Sequence, residues 1–473
     1  MKPKRAWLLS LSGRVANPPI RAILHPMQAR PRWEERADHT RTVIAAALEA
    51  VAPQRAVLRH LSREGEWLRA GARDYHLPDF RRVLLLGFGK AAVAMAQAAD
   101  TVLGERLTGG TIVTNHGHRV NLRNVEIVEA GHPLPDDSSI AGAERILASV
   151  GTPGEDDLII VLISGGGSTL FTLPTPGISL AELQWMNERL LRSGADIHQL
   201  NTVRKHLSQV KGGNLARRLY PARVVALLLS DVVGNDESVI ASGPLSPDGS
   251  TFAQAWETLG QFGLRGDLPQ SVRARLRRGM HAELDENPIA GDRAFERVQS
   301  LLVGDNEEAA RGAVKQAIEL GFSARLLTPS LGGMARKAGR WIVQQAREAR
   351  AYGAVGKPIC LVAGGETTVK VLGDGKGGRN QELVLAAALK MDPEKDERAR
   401  LVCLATDGQD GPTDSAGAVA EADSLARGVA AGLDARAHLR NNDSYSYFSA
   451  LDDLIITGPT GTNVSDLLFW FWY

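Results

Sequence analysis

The feature that most constrains this chain is its repeated alternation of short, almost wholly apolar runs with longer stretches of helical periodicity. Residues 81–86, 110–114, 125–129, 157–164 and 224–230 read as strands, and 90–102, 139–149, 180–193 and 202–218 read as helices. Runs this uniformly apolar fit strands covered on both faces, so the alternation predicts an α/β protein with a mainly parallel sheet between helical layers. A second block repeats the pattern, with strands at 300–304, 323–327, 358–364, 400–406 and 454–457 and helices at 307–320 and 333–352. Ahead of the first strand, residues 39 to 70 read as two helices separated at Pro53.

At 473 residues the chain exceeds the roughly 250–300 residues that one core sustains. A charged stretch, 266–292, with Pro269, Pro288 and Gly291, separates the blocks. The expected division is an N-terminal domain over 34–295 and a second α/β domain over 296–473. Residues 1–33 are basic, acid-free and interrupted by proline; they read as a disordered extension, with Met27 an alternative start. Lys plus Arg number 55 against 54 for Asp plus Glu, which offers no global field for nucleic acid or an acidic membrane. No apolar stretch reaches the roughly 18 residues that cross a bilayer. Cys360 and Cys403 both lie in apolar runs, as free core thiols do, and a cytoplasmic location is expected. The oligomeric state is left open, a homodimer included.

Any anion site must therefore be local, and three glycine-rich turns offer one. In Gly87-Phe88-Gly89-Lys90-Ala91-Ala92, a G-x-G-x-x-A turn from strand to helix, Gly87 and Gly89 let the backbone approach a phosphate. A dinucleotide site would also want an acid ending the next strand, which here reads Val113-Thr114-Asn115-His116; Lys90 suits a phosphate better. In Ser164-Gly165-Gly166-Gly167-Ser168, three glycines flanked by hydroxyls form a nest of N–H donors. Left idle, each glycine would cost about 1 kcal/mol. In Gly377-Gly378-Arg379-Asn380-Gln381-Glu382, Arg379 stands where a helix begins, placed either to clamp a phosphoryl group or to pair with Glu382. There is no G-x-x-x-x-G-K-[ST], so a kinase of this sequence is not of the P-loop kind. Asp231 and Asp407 follow strands and so stand at the carboxyl edge, where open sheets bind ligands; they are candidates for holding Mg²⁺ or accepting a hydroxyl proton.

As a set and in order, these motifs resemble the glycerate kinases of the second class, whose C-terminal half is the MOFRL domain. Further matching stretches are Gly131-His132-Pro133-Leu134-Pro135-Asp136, Asn201-Thr202-Val203-Arg204-Lys205-His206, Lys211-Gly212-Gly213, Gly364-Gly365-Glu366 and Asp410-Gly411-Pro412-Thr413-Asp414. The resemblance runs from residue 36 to the C-terminus. It implies a Rossmann-like, doubly wound N-terminal domain and a MOFRL-type C-terminal domain, with phosphoryl transfer from ATP to D-glycerate, with Mg²⁺, in the cleft between them. The 2-hydroxyl is the implied acceptor. Lys90 and Arg379 match the family's active-site pair. ATP phosphates are then expected against Ser164 to Ser168, Mg²⁺ near Asp231 or Asp407, and the glycerate carboxylate at Lys205 or Lys211. The rival reading, an NAD(P)H-dependent hydroxypyruvate reductase, rests on the G-x-G-x-x-A turn alone.

Overall fold

The computed structural model describes residues 34–117, 120–352 and 356–473; the expectation for 1–33 lies outside them. The first helix, Glu34–Ala50, is followed by Pro53–His60, with proline opening the second helix as its fixed φ favours. The helix expected to reach residue 70 ends ten residues earlier. In its place stands an antiparallel meander, β1 (Leu61–Glu64), β2 (Trp67–Ala70) and β3 (Arg73–His76), turning at Gly65 and Gly71 with positive φ. Leu68 and Ala70 bury from alternate positions, a period of two too short to stand out beside the helical spacing upstream.

The first large sheet comprises β4 (Arg82–Phe88), β5 (Gly109–Asn115), β6 (Val125–Ala130), β7 (Asp157–Ser164), β8 (Arg223–Leu229) and β9 (Val298–Gly304), all parallel, in the order β6-β5-β4-β7-β8-β9. This is the doubly wound, Rossmann-like order: the chain winds outward from β4 to β6, returns to β7, and winds the other way. Successive residues of β4 and β7 feed two different cores. Val83, Leu85, Ile160 and Leu162 pack with the helix Ala92–Leu103, while Leu84, Leu86, Ile159 and Val161 pack with Asp137–Val150. Four helices inserted after β7 and β8 (Leu180–Arg192, Ile197–His206, Phe252–Gln261, Gln270–Met280) build a satellite core of their own.

β9 corrects the domain division. The strand expected to open the second block pairs with β8 and completes the first sheet, so a boundary at 295 falls one strand too early. A parallel strand finds its partner through a long crossover, and nothing in its own residues says which sheet it joins.

The second sheet contains β10 (Ser323–Leu331), β11 (Ile359–Gly365), β12 (Ala399–Ala405), β13 (Gly417–Glu421), β14 (Leu454–Ile455) and β15 (Asp466–Trp472), in the order β10-β11-β15-β12-β13-β14. Only β10 and β11 are parallel. The last strand of the chain thus lies in the middle of the sheet. Phe469 and Phe471 face the helices Glu34–Ala50 and Asn306–Glu319; Trp470 and Trp472 face Ala335–Tyr352 and Arg379–Ala388. The first of these cores is continuous with that beneath β4 and β7, so one hydrophobic layer joins both sheets. Tyr473 Oη donates to Arg36 O at 2.8 Å, tying the last strand to the first described helix. Among the described residues no helix is long and apolar enough to cross a membrane. Cys360 and Cys403 are free and buried.

Candidate active site

Because the chain leaves β4 toward one edge of the sheet and β7 toward the other, the turns after these two neighbouring strands open a crevice at their carboxyl ends. The turns are stapled together: Lys90 N donates to Gly165 O at 2.9 Å and Ala91 N to Ser164 Oγ at 3.0 Å. Ser164 is fully buried, so its hydroxyl holds the staple and does not face a ligand. Gly87 likewise lies inside β4, opposite Ile112 and Leu162, where its missing side chain serves packing. Gly89, Gly165 and Gly166 form the turns themselves, and Gly167 and Ser168 open the short helix Gly167–Leu170. Gly165 is required by close approach, since a Cβ there would collide with the Asp231 carboxylate and the Asn463 amide.

Lys90 reaches out of the first sheet and donates from Nζ to Asp407 Oδ2, 3.0 Å away in the turn after β12. Asp231, just beyond β8, accepts from Asn463 Nδ2 at 3.4 Å and, on its backbone oxygen, from Ser465 Oγ at 2.5 Å. The two sheets therefore meet at the crevice. Burial, reinforced by the charge of Asp407 and opposed by Lys90 and Arg379, pushes the Asp231 carboxyl up to about 6. His132 lies against Gly166 and close to Lys90; burial and then the lysine charge push its imidazole down to about 4, so it is neutral near pH 7.

Arg379 does open a helix, Arg379–Ala388, but Glu382 is not its partner: that carboxylate is held by Arg336 at 2.8 Å. Arg379 instead forks onto Asp466, Nε to Oδ2 at 2.6 Å and Nη2 to Oδ1 at 3.0 Å, while Nη1 donates to Glu366 at 2.7 Å. One N–H on each Nη is left for a ligand. Burial works against its charge, but Asp466 and Glu366 outweigh it and raise its pKa. Asp410 fixes the start of the helix by accepting from Asn380 N at 3.1 Å and Gln381 N at 2.9 Å. Burial pushes this carboxyl up to about 7.

The two candidate substrate lysines part company. Lys205 is withdrawn into an ion pair with Asp248 at 3.3 Å, both side chains buried. Lys211 stands at the foot of the second glycine turn, its Nζ donating to Ser168 O at 2.7 Å and Phe171 O at 2.8 Å. His132, Glu366, Asp410 and Asp466 were not singled out from the sequence as site residues. The motifs of His132, Glu366 and Asp410 were in view and that of Asp466 was not; their convergence depends on pairing between distant strands.

Among the described residues no cluster of three His, Cys, Asp or Glu forms a ready cage for a metal. Asp231 and Asp407, close enough for the charge of one to raise the pKa of the other, are nevertheless the candidates for Mg²⁺, which is held by one or two carboxylates together with substrate phosphates. The elevated pKa of Asp231 beside a second acid is what a neighbouring cation would relieve.

Comparison with known proteins gives the family. Residues 39–277 match a family described as a domain of unknown function, DUF4147, and residues 359–466 match the MOFRL family. The chain is 42% identical over 428 residues to a D-glycerate 2-kinase of Thermotoga maritima, spanning 90% of this chain and 96% of that protein. It is 43% identical over 389 residues to an Agrobacterium vitis protein provisionally named a hydroxypyruvate reductase, spanning 82% and 86%. A crystal structure of a glycerate kinase from Thermotoga maritima superposes with a TM-score of 0.77 at 42% identity, covering 91% of this chain and 98% of that one. Identity of this order over nearly the whole length, with the same pair of regions and the same fold, means that the chain belongs to the glycerate kinase family that carries a MOFRL domain.

Proposed function

We propose that this protein transfers the γ-phosphoryl group of ATP to the 2-hydroxyl of D-glycerate. The observation that carries the reading is the meeting of Lys90 and Asp407 at 3.0 Å across the glycine turns, which joins two sheets into one cleft. Phosphoryl transfer needs little covalent help from a protein; it needs positioning and cations where charge spreads. The N–H groups of the 165–167 turn suit the donor phosphates. Lys90 supplies a flexible point charge to the moving phosphoryl group, and Arg379 a fixed one, held in plane by Asp466 and Glu366. Mg²⁺ would be held by Asp231 and Asp407 and would supply neutralisation of charge on the phosphate oxygens. Neutral His132 adds no competing charge beside Lys90. The two free, buried thiols support a cytoplasmic location.

The reductase reading is favoured by the strand order and the G-x-G-x-x-A turn. Against it, β5 ends in Thr114-Asn115 with no acid for a ribose, and Lys90 would crowd a nicotinamide with charge. Incubation with ATP, Mg²⁺ and D-glycerate, with the phosphoglycerate isomer identified by NMR, tests class, substrate and position together. Formation of 3-phosphoglycerate would correct the position; oxidation of NADH with hydroxypyruvate, and no ADP from glycerate, would overturn the reading.

A further inference from the structure

Beside the second glycine turn lies an open cavity of about 490 Å³, lined by Ser168, Arg204 and Lys211 together with Leu183, Trp185 and others. Its two cations are unusual. Lys211 is 3% exposed and Arg204 half-buried, yet neither has a carboxylate partner among the described residues. Lys211 gives hydrogen bonds only to the carbonyls of Ser168 and Phe171, and Arg204 only to Asn187 Oδ1, through Nε at 2.7 Å. Glu188, which also lines the cavity, is already paired with Arg192 at 2.8 Å. One N–H of the ammonium and both Nη groups of the guanidinium thus stay unengaged. Drawing two like charges out of water with no counter-charge is unfavourable unless an anion completes the site.

Resting on the kinase reading, we propose that Arg204 and Lys211 receive the carboxylate of the acceptor acid. The other cations of the site are committed: Lys90 to Asp407, Lys205 to Asp248, Arg379 to Asp466 and Glu366. A guanidinium whose Nε is fixed presents its paired Nη groups as a fork that matches a planar carboxylate. The location is also apt: Ser168, on the cavity wall, is two residues from Gly166, where a Cβ would lie 3.3 Å from Lys90 Cγ, so the cavity adjoins the turn against which Lys90 packs. Burial and the charge of Arg204 already push the Lys211 ammonium down to about 7, the signature of a cation lacking its counter-ion.

The test is steady-state kinetics of full-length Arg204→Gln and Lys211→Met with D-glycerate and ATP varied in turn, alongside Trp fluorescence titration with D-glycerate alone; Trp185→Phe assigns the signal. The expected result is a KM for glycerate raised about 10-fold or more, with KM for ATP and kcat changed far less, and a fluorescence response that Arg204→Gln abolishes. Since Lys211→Met also unpairs two carbonyls, Arg204→Gln, which removes no backbone contact, keeps the test decisive. A rise confined to KM for ATP would assign the cavity to the donor phosphates and overturn the proposal, as would unchanged constants for both substrates or a loss of kcat alone. If the wild type fails to phosphorylate glycerate, the kinase reading fails first, and abolition of the glycerate fluorescence response in Arg204→Gln still decides the pocket.

Discussion

Lys90 and Arg379 carry the same charge in different settings, and their variants should fail differently. The Lys90–Asp407 pair, 24% and 18% exposed, lies between a surface pair and a buried one, so its loss costs on the order of 1–2 kcal/mol, a small shift for a protein of this size. Lys90→Ala should therefore melt close to the wild-type temperature while kcat falls about 100-fold or more, as when one transition-state donor is removed. Arg379→Ala leaves buried Asp466 unpaired; because the arginine side chain is 32% exposed, the cost is somewhat below the roughly 3–5 kcal/mol of a fully buried pair, and denaturant titration should show it alongside lost turnover. Lys211 adds a pH dependence. Its pKa is lowered to about 7, so the ammonium is present below that pH and lost above it. kcat/KM for glycerate should fall as pH rises through about 7, and Lys211→Met should lack that limb; a wild-type profile still flat at pH 8 would contradict the assignment. At this scale the sequence was partly legible. Lys90 and Arg379 stand in local motifs with a chemical reason to exist, whereas the commitment of Lys205 to Asp248, or of Arg379 to Asp466, depends on contacts between segments far apart in the chain.

Uniform apolar runs made the strands of the first sheet readable almost to the residue: 157–164 was expected and β7 spans Asp157–Ser164. The Leu467-Leu468-Phe469-Trp470-Phe471-Trp472 run of β15 is as apolar, yet it was not read as a strand. Its position between β11 and β12 is set by antiparallel pairing with residues 61 to 113 positions earlier, which periodicity cannot express. The glycine turn after β7 is the element where shape is most tightly imposed. Gly165→Ala would drive a methyl into Asp231 and Asn463, an overpacking cost of about 1–3 kcal/mol taken up where the two sheets meet. The variant should keep its far-ultraviolet circular dichroism yet lose most turnover, with a raised KM for ATP; normal kinetics would mean that the turn does not shape the donor site.

At the scale of the molecule, two domains were legible but their interlocking was not. The helix Glu34–Ala50 packs with Asn306–Glu319, and a single core passes from β4 and β7 to β11 and β15. Both sheets consequently contribute to one cleft whose only ion pair between the turns of the two sheets, among the described residues, is Lys90–Asp407. That contact could be a latch, valued for holding the sheets together, or a catalytic cation resting on an acid. Reversing both charges separates the two. Lys90→Asp combined with Asp407→Lys restores an attraction of similar geometry, so the double variant should melt within a few degrees of the wild type and above either single reversal, which leaves like charges facing each other. Because Asp407 is also a proposed Mg²⁺ ligand, the reference for turnover is Asp407→Asn, and a latch would bring turnover up to that level. A catalytic cation would not, because the ammonium would now project from the turn after β12 instead of from beside Gly165, and transition-state stabilisation depends on where charge is placed more than on its presence. The expected outcome is recovered thermal stability with kcat still at least about 100-fold below that of Asp407→Asn, measured by calorimetry and initial rates on the same preparation; recovery of turnover to the Asp407→Asn level together with stability would reduce Lys90 to a structural role.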